Sequence, residues 1–106
     1  MPFFRGNQIN TEKDGREVAE TLGQGAAIVL KNHGAVTVGK NVAQAVVRMY
    51  YLERAAYGHL MAGKDLVPWK PDSSYRTIID DSYKFLWRTW HWELENRGVM
   101  ARWMGK

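Results

Sequence analysis

The chain has no cysteine, so disulfide staples and thiolate metal sites are excluded, and histidine and carboxylate are left as its principal metal-binding groups. Long apolar runs are missing as well. Stretches such as Ala26 to Leu30 fall far short of the roughly 18–20 residues that a bilayer span requires, so no membrane is expected as a partner. Met1 to Asn10 has no apolar segment behind a basic start, so no secretory signal is expected and the cytoplasm is the default location. Low-complexity tracts are also absent. Proline is scarce, and two of its three copies, Pro68 and Pro71, fall close together, which marks a break in periodic structure between 64 and 74.

What is present fits one small domain. The 106 residues are 45% hydrophobic and 25% charged, which argues against disorder or a fibrous chain. A net charge of +4 is distributed among eleven acids rather than gathered into a stripe, so nucleic acid is not an expected partner. Tryptophan is abundant instead: five copies, at 69, 87, 90, 92 and 103, of which the last four fall in the final twenty residues. Trp87 and Trp90 share a helical face with Leu86 and Leu94 nearby, a stripe that fits a contact between subunits.

Periodicity supplies the elements. Thr11 with Asp14 three residues on is a capping-box variant, Val18, Ala19 and Leu22 share a face, and Gly23 stops the turn, which predicts a helix over 12–22. The run Ala26-Ala27-Ile28-Val29-Leu30-Lys31 is β-branched and almost unbroken, as in a strand covered on both faces. Asn32-His33-Gly34 is a tight turn signal, and Ala35-Val36-Thr37-Val38-Gly39 resumes strand character, giving an antiparallel pair with His33 at the sheet's end. After a cap at Asn41, the residues Val42, Ala45, Val46, Met49, Leu52, Ala56 and Leu60 recur at helical spacing until Gly63. A second long helix is expected from Tyr75 to about Arg97, ending at Gly98. The order is helix, strand, strand, helix, loop, helix. Its two strands are fewer than the three or more that a stable sheet needs.

Leu22-Gly23, the run Ala27 to Gly39 around Asn32-His33-Gly34, Ala45, and Tyr51-Leu52-Glu53-Arg54-Ala55-Ala56 together resemble the class II aldolase/adducin family in order and spacing. The resemblance is strongest over 16–56 and extends more weakly through Trp87-Arg88-Thr89-Trp90, which looks like the tryptophan-rich final helix, here about 75–97, of some bacterial members. It implies an α/β fold, with residues 1–106 forming the C-terminal part of an α/β/α layered domain whose sheet is mainly antiparallel. It also implies metal-dependent lyase or epimerase chemistry on a small hydroxy-carbonyl or sugar-phosphate substrate. Other members are aromatic-acid decarboxylases, and in adducin the fold serves as a non-catalytic assembly module.

By the same resemblance His33 matches the third metal-binding histidine, which joins a His-x-His pair from an earlier strand around a divalent cation, usually zinc. This chain has no His-x-His, no matching earlier glutamate, and Gly6-Asn7 lies too near the Leu-Gly helix to be the family's substrate loop. A complementing N-terminal half, or self-association, is therefore the expected partner. On residue type alone His33 also fits a turn histidine that only bonds the backbone. His59, near a helix C-terminus, reads as a surface or capping residue, and His91, between Trp90 and Trp92, as a packing residue. Their spacing with His33 forms no local ligand motif. Arg48, Arg54, Arg76, Arg88, Arg97 and Arg102 have the chemistry to bind phosphate, yet on helices such residues are ordinarily solvated.

Overall fold

The computed structural model describes residues 1–6, 8–67 and 73–98, and over 73–80 the helix backbone alone. The chain divides into two compact units, Met1–Met61 and Ala62–Lys106. The first holds α1 (Glu12–Leu22), α2 (Val42–Ala62, reaching its boundary) and a sheet of β1 (Phe3–Phe4), β2 (Ala27–Leu30) and β3 (Gly34–Thr37). The architecture is α/β.

α1 starts where its capping chemistry dictates. The Thr11 hydroxyl accepts the Asp14 N–H at 3.1 Å, while the Asp14 carboxylate accepts the Asn10 and Thr11 N–H groups, both at 3.1 Å. Three donors near the helix start are thereby satisfied locally. The helix ends at Gly23, whose φ of 55° is costly for a residue with a Cβ and whose N–H bonds the Ala19 carbonyl at 3.0 Å.

The sheet order is β1-β2-β3, with β1 parallel and β3 antiparallel to β2. The sequence reading contains only the last two strands. β1 is two residues long, too short for any alternation to register, and it exists because the Pro2 and Phe4 carbonyls accept the Val29 and Lys31 N–H groups at 3.0 and 2.9 Å. This third strand makes β2 the interior strand, as its composition predicts. Cover on both faces is not complete, because Ile28 is fully buried while Ala27, Val29 and Leu30 are half-buried. α1 packs on β1 and β2.

α2 begins at the Asn41 cap, whose side-chain oxygen accepts the Gln44 N–H at 2.8 Å, and ends at Gly63 with φ 58°. Its first turns are tied to the end of β3: the Thr37 hydroxyl donates to the Ala45 carbonyl at 2.7 Å, and the Arg48 guanidinium to the Val38 carbonyl at 2.7 Å. These bonds set the helix's rotation. Gln44 and Val47 become buried, whereas Val42 and Leu60, both on the expected apolar stripe, are 72% and 81% exposed. α2 carries apolar residues on several sides, so spacing alone does not single out one face. Phe4, Ile28 and Val47 are the buried apolar side chains among the described residues, each contributing about 1.5–3 kcal/mol if fully withdrawn from water.

The second unit contains a 3-10 turn, Gly63–Asp65, and α3, Ser73–Asn96. α3 starts two residues before the expected Tyr75 and stops just short of Gly98, whose φ is 70°. The expected connection through Pro68 and Pro71 falls partly outside the described residues, as do Trp69, Trp103 and the tail from Val99. Trp87 and Trp92 are exposed and Trp90 is half-buried. Among the described residues, no helix is long and apolar enough to cross a membrane.

Candidate functional site

The β2–β3 hairpin holds His33 on a turn whose geometry is set by its neighbours. Leu30 pairs with Gly34, and the Leu30 carbonyl also accepts the His33 N–H at 3.1 Å, closing a four-residue turn. Asn32, the third residue of that turn, has φ 61°, the positive value that type II turns require there and that asparagine tolerates better than most residues. Gly34 follows at φ 149°, where side chains are again disfavoured; a Cβ there would meet no other atom, so the backbone angle rather than crowding selects glycine. The His33 backbone is thus fixed at the end of the interior strand while its side chain remains exposed.

His33 also lines a cavity of about 160 Å³ together with Phe4, Gly6, Ile9 and Leu30. Three of these side chains are apolar and His33 is the one polar side chain among the described lining residues. Sequence reasoning missed Phe4, Gly6 and Ile9, because the lead-in before α1 has no period; the paired Phe3-Phe4 was the available signal. A Cβ on Gly6 would fall 2.4 Å from the Phe4 ring, so this glycine allows the chain to fold close over it.

The other expected residues are not gathered here. His59 is exposed in the last turn of α2. His91 is not packed: its side chain is 52% exposed and its Nε2 lies 3.1 Å from the Glu95 carboxylate one helical turn away. Among the described residues, no three histidine or carboxylate side chains converge as a metal site would require. The donor set in view, His33 alone, does not fit a divalent cation. Arg48 is engaged with the Val38 carbonyl, and Arg54 lies over the Tyr50 ring, 5.5 Å from its centre, so both have structural partners. The side chain of Arg76 and all of Arg102 fall outside the described residues.

The β2–β3 hairpin thus presents an Asn-His-Gly turn between a helix ending at Leu22-Gly23 and a long helix carrying Leu52-Glu53-Arg54-Ala55-Ala56. The profile described as Class II Aldolase and Adducin N-terminal domain matches residues 1–60, and the chain belongs to that family. It is 36% identical over 74 residues to a Caulobacter vibrioides protein whose name places it among class 2 aldolases. That match covers 67% of this chain and 28% of the relative, so the chain spans less than a third of the relative's length. No solved structure matches the chain. Members of the family typically use a divalent metal.

Proposed function

We propose that the chain is one part, the C-terminal portion, of a class II aldolase-type domain, contributing His33 as one of several ligands to a divalent cation, zinc by preference. The remaining ligands and the acid/base group come from a complementing segment, and the completed site acts as a lyase or epimerase on a small hydroxy-carbonyl compound. The observation that carries this reading is the His33 turn: its backbone is fixed by Asn32, Gly34 and the Leu30 carbonyl while its imidazole stays exposed. Metal binding needs such a ring, neutral and restrained, and a turn at the end of an interior strand supplies the restraint.

The test is zinc content of the purified chain, alone and mixed with the N-terminal half of a related class II aldolase, with His33→Ala as the control. Stoichiometric zinc on mixing that is lost in His33→Ala supports the reading. No zinc in any mixture overturns it.

A second reading, an assembly module without metal as in adducin, is favoured by one observation. The later turns of α2 expose Tyr57, Leu60 and Met61 together, an apolar patch that suits association. It predicts self-association, in which the Trp87 and Trp90 stripe also takes part, that is unchanged by His33→Ala and by chelators.

A further inference from the structure

α3 has one half-buried side and one open side. Along 81–96 the half-buried residues are Ser82, Tyr83, Leu86 and Trp90, which recur at helical spacing. The opposite side carries Lys84, Phe85, Arg88, Trp92 and Glu95, all exposed, with Phe85 at 72% and Trp92 at 61%. At about 3.6 residues per turn, Lys84 and Glu95 fall within about 20° of each other around the axis, as do Phe85 and Trp92, and Arg88 lies between the two pairs. The open side therefore has a charged edge and an aromatic edge. Among the described residues Lys84 and Arg88 have no acidic partner. α3 also lies outside residues 1–60, which the family profile matches.

We propose that α3 is a self-recognition element, pairing antiparallel with α3 of a second copy of this chain about a two-fold axis near residues 89–90. Lys84 of each copy meets Glu95 of the other, and Phe85 of each lies beside Trp92 of the other. Charge selects this orientation. Antiparallel, the two-fold sets charged edge against charged edge and aromatic against aromatic, brings Lys84 level with Glu95, and leaves Phe85 and Trp92 about 3 Å apart along the axis. Parallel, Lys84 would come level with Lys84 and Glu95 with Glu95, and each charged edge would lie against the other copy's aromatic edge. Glu95 is within 3.1 Å of the His91 Nε2 in its own helix, and its carboxylate has capacity for a second donor. The two Arg88 side chains are the nearest like charges, and each falls within about 2 Å of the other copy's Trp92 along the axis, where a guanidinium stacks on the indole. Burial of two exposed aromatic rings per copy drives the contact, and the Lys84–Glu95 pairs fix its register.

The experiment follows the full chain, without metal, by sedimentation velocity from low to high micromolar concentration. The parent should show a concentration-dependent monomer–dimer equilibrium. Lys84→Glu and Glu95→Lys should each weaken it by about ten-fold or more, because each substitution acts twice across a two-fold axis and turns attraction into repulsion. The variant carrying both should return to within about three-fold of the parent. Trp92→Ser should weaken the dimer as well, and since all these positions are exposed, helical circular dichroism of the monomer should stay unchanged. Orientation is read separately: the parent has no cysteine, so a mixture of Lys84→Cys and Glu95→Cys chains should be joined by a short thiol–thiol cross-linker. Lys84→Cys alone, with its two thiols about 16 Å apart along the axis, should be joined far more slowly. The proposal is overturned if the parent stays monomeric, if a dimer is indifferent to the single charge reversals or is not restored by the double one, or if Lys84→Cys alone cross-links as fast as the mixture. It rests on neither reading above. Zinc uptake on mixing tests the His33 site independently, and a dimer that survives the α3 substitutions but is lost in Leu60→Ser would leave the assembly reading standing while removing this one.

Discussion

The side-chain oxygen of Gln44, a residue 1% exposed, accepts the backbone N–H of Lys40 at 2.7 Å. A buried polar side chain is tolerated when it is bonded, and here it satisfies a donor in the loop that turns β3 into α2. Gln44→Leu keeps the volume but leaves that N–H without its acceptor. It should destabilise the chain by about 1–3 kcal/mol, read as a lower midpoint in urea unfolding. An unchanged midpoint would mean that water replaces the bond at no cost.

Gly39 lies in the same loop. A Cβ there would sit 2.8 Å from the Ala45 nitrogen and 3.0 Å from the Gln44 Oε1, and the first of these is backbone that cannot swing aside. Gly39→Ala should therefore cost about 1–3 kcal/mol by overpacking, and combined with Gln44→Leu the two losses should fall short of additive because they disturb one contact. Fully additive urea midpoints would show the two positions to be independent.

The His33 turn predicts very different costs for two substitutions at one position. Asn32 has φ 61°, so Asn32→Val should cost about 1–2 kcal/mol through steric strain, whereas Asn32→Gly should stay within about 0.5 kcal/mol of the parent. Thermal unfolding of the two variants checks the order, and equal losses would remove the positive φ as the reason for asparagine.

The capping box predicts a pH dependence. The Asn10 N–H, then the Thr11 hydroxyl and N–H, with Lys13 adding its charge, hold the Asp14 carboxyl below its ordinary 3.8. The folded value lies below the unfolded one. The stabilisation is therefore fully present above the ordinary value and is lost as pH falls through the lowered one. Helical circular dichroism should fall on acidification partly through α1, and Asp14→Asn should flatten that component of the curve. Thr11→Ala, which removes the hydroxyl acceptor, should cost about 1 kcal/mol at neutral pH.

Much of this was legible because it is local. Thr11 with Asp14, Asn41 before Val42, and glycine at 23, 63 and 98 act on groups within four residues, so the bounds of α1 and α2 follow from adjacent chemistry. The Asn32-His33-Gly34 turn is legible for the same reason, and with it the place of His33 at the sheet's end.

Tertiary structure alone decided the rest. β1 exists through the Pro2 and Phe4 carbonyls meeting a strand more than twenty residues away, a pairing that two residues of sequence cannot announce. The rotation of α2, which buries Gln44 and leaves Val42 in solvent, was chosen by Thr37 and Arg48 reaching across from and toward the end of β3. The cavity at His33 likewise needs Phe4 and Ile9 to fold back beside Leu30. Sequence determined which groups are satisfied nearby; where several faces of an element are equally apolar, only contacts between distant segments determine which of them is buried.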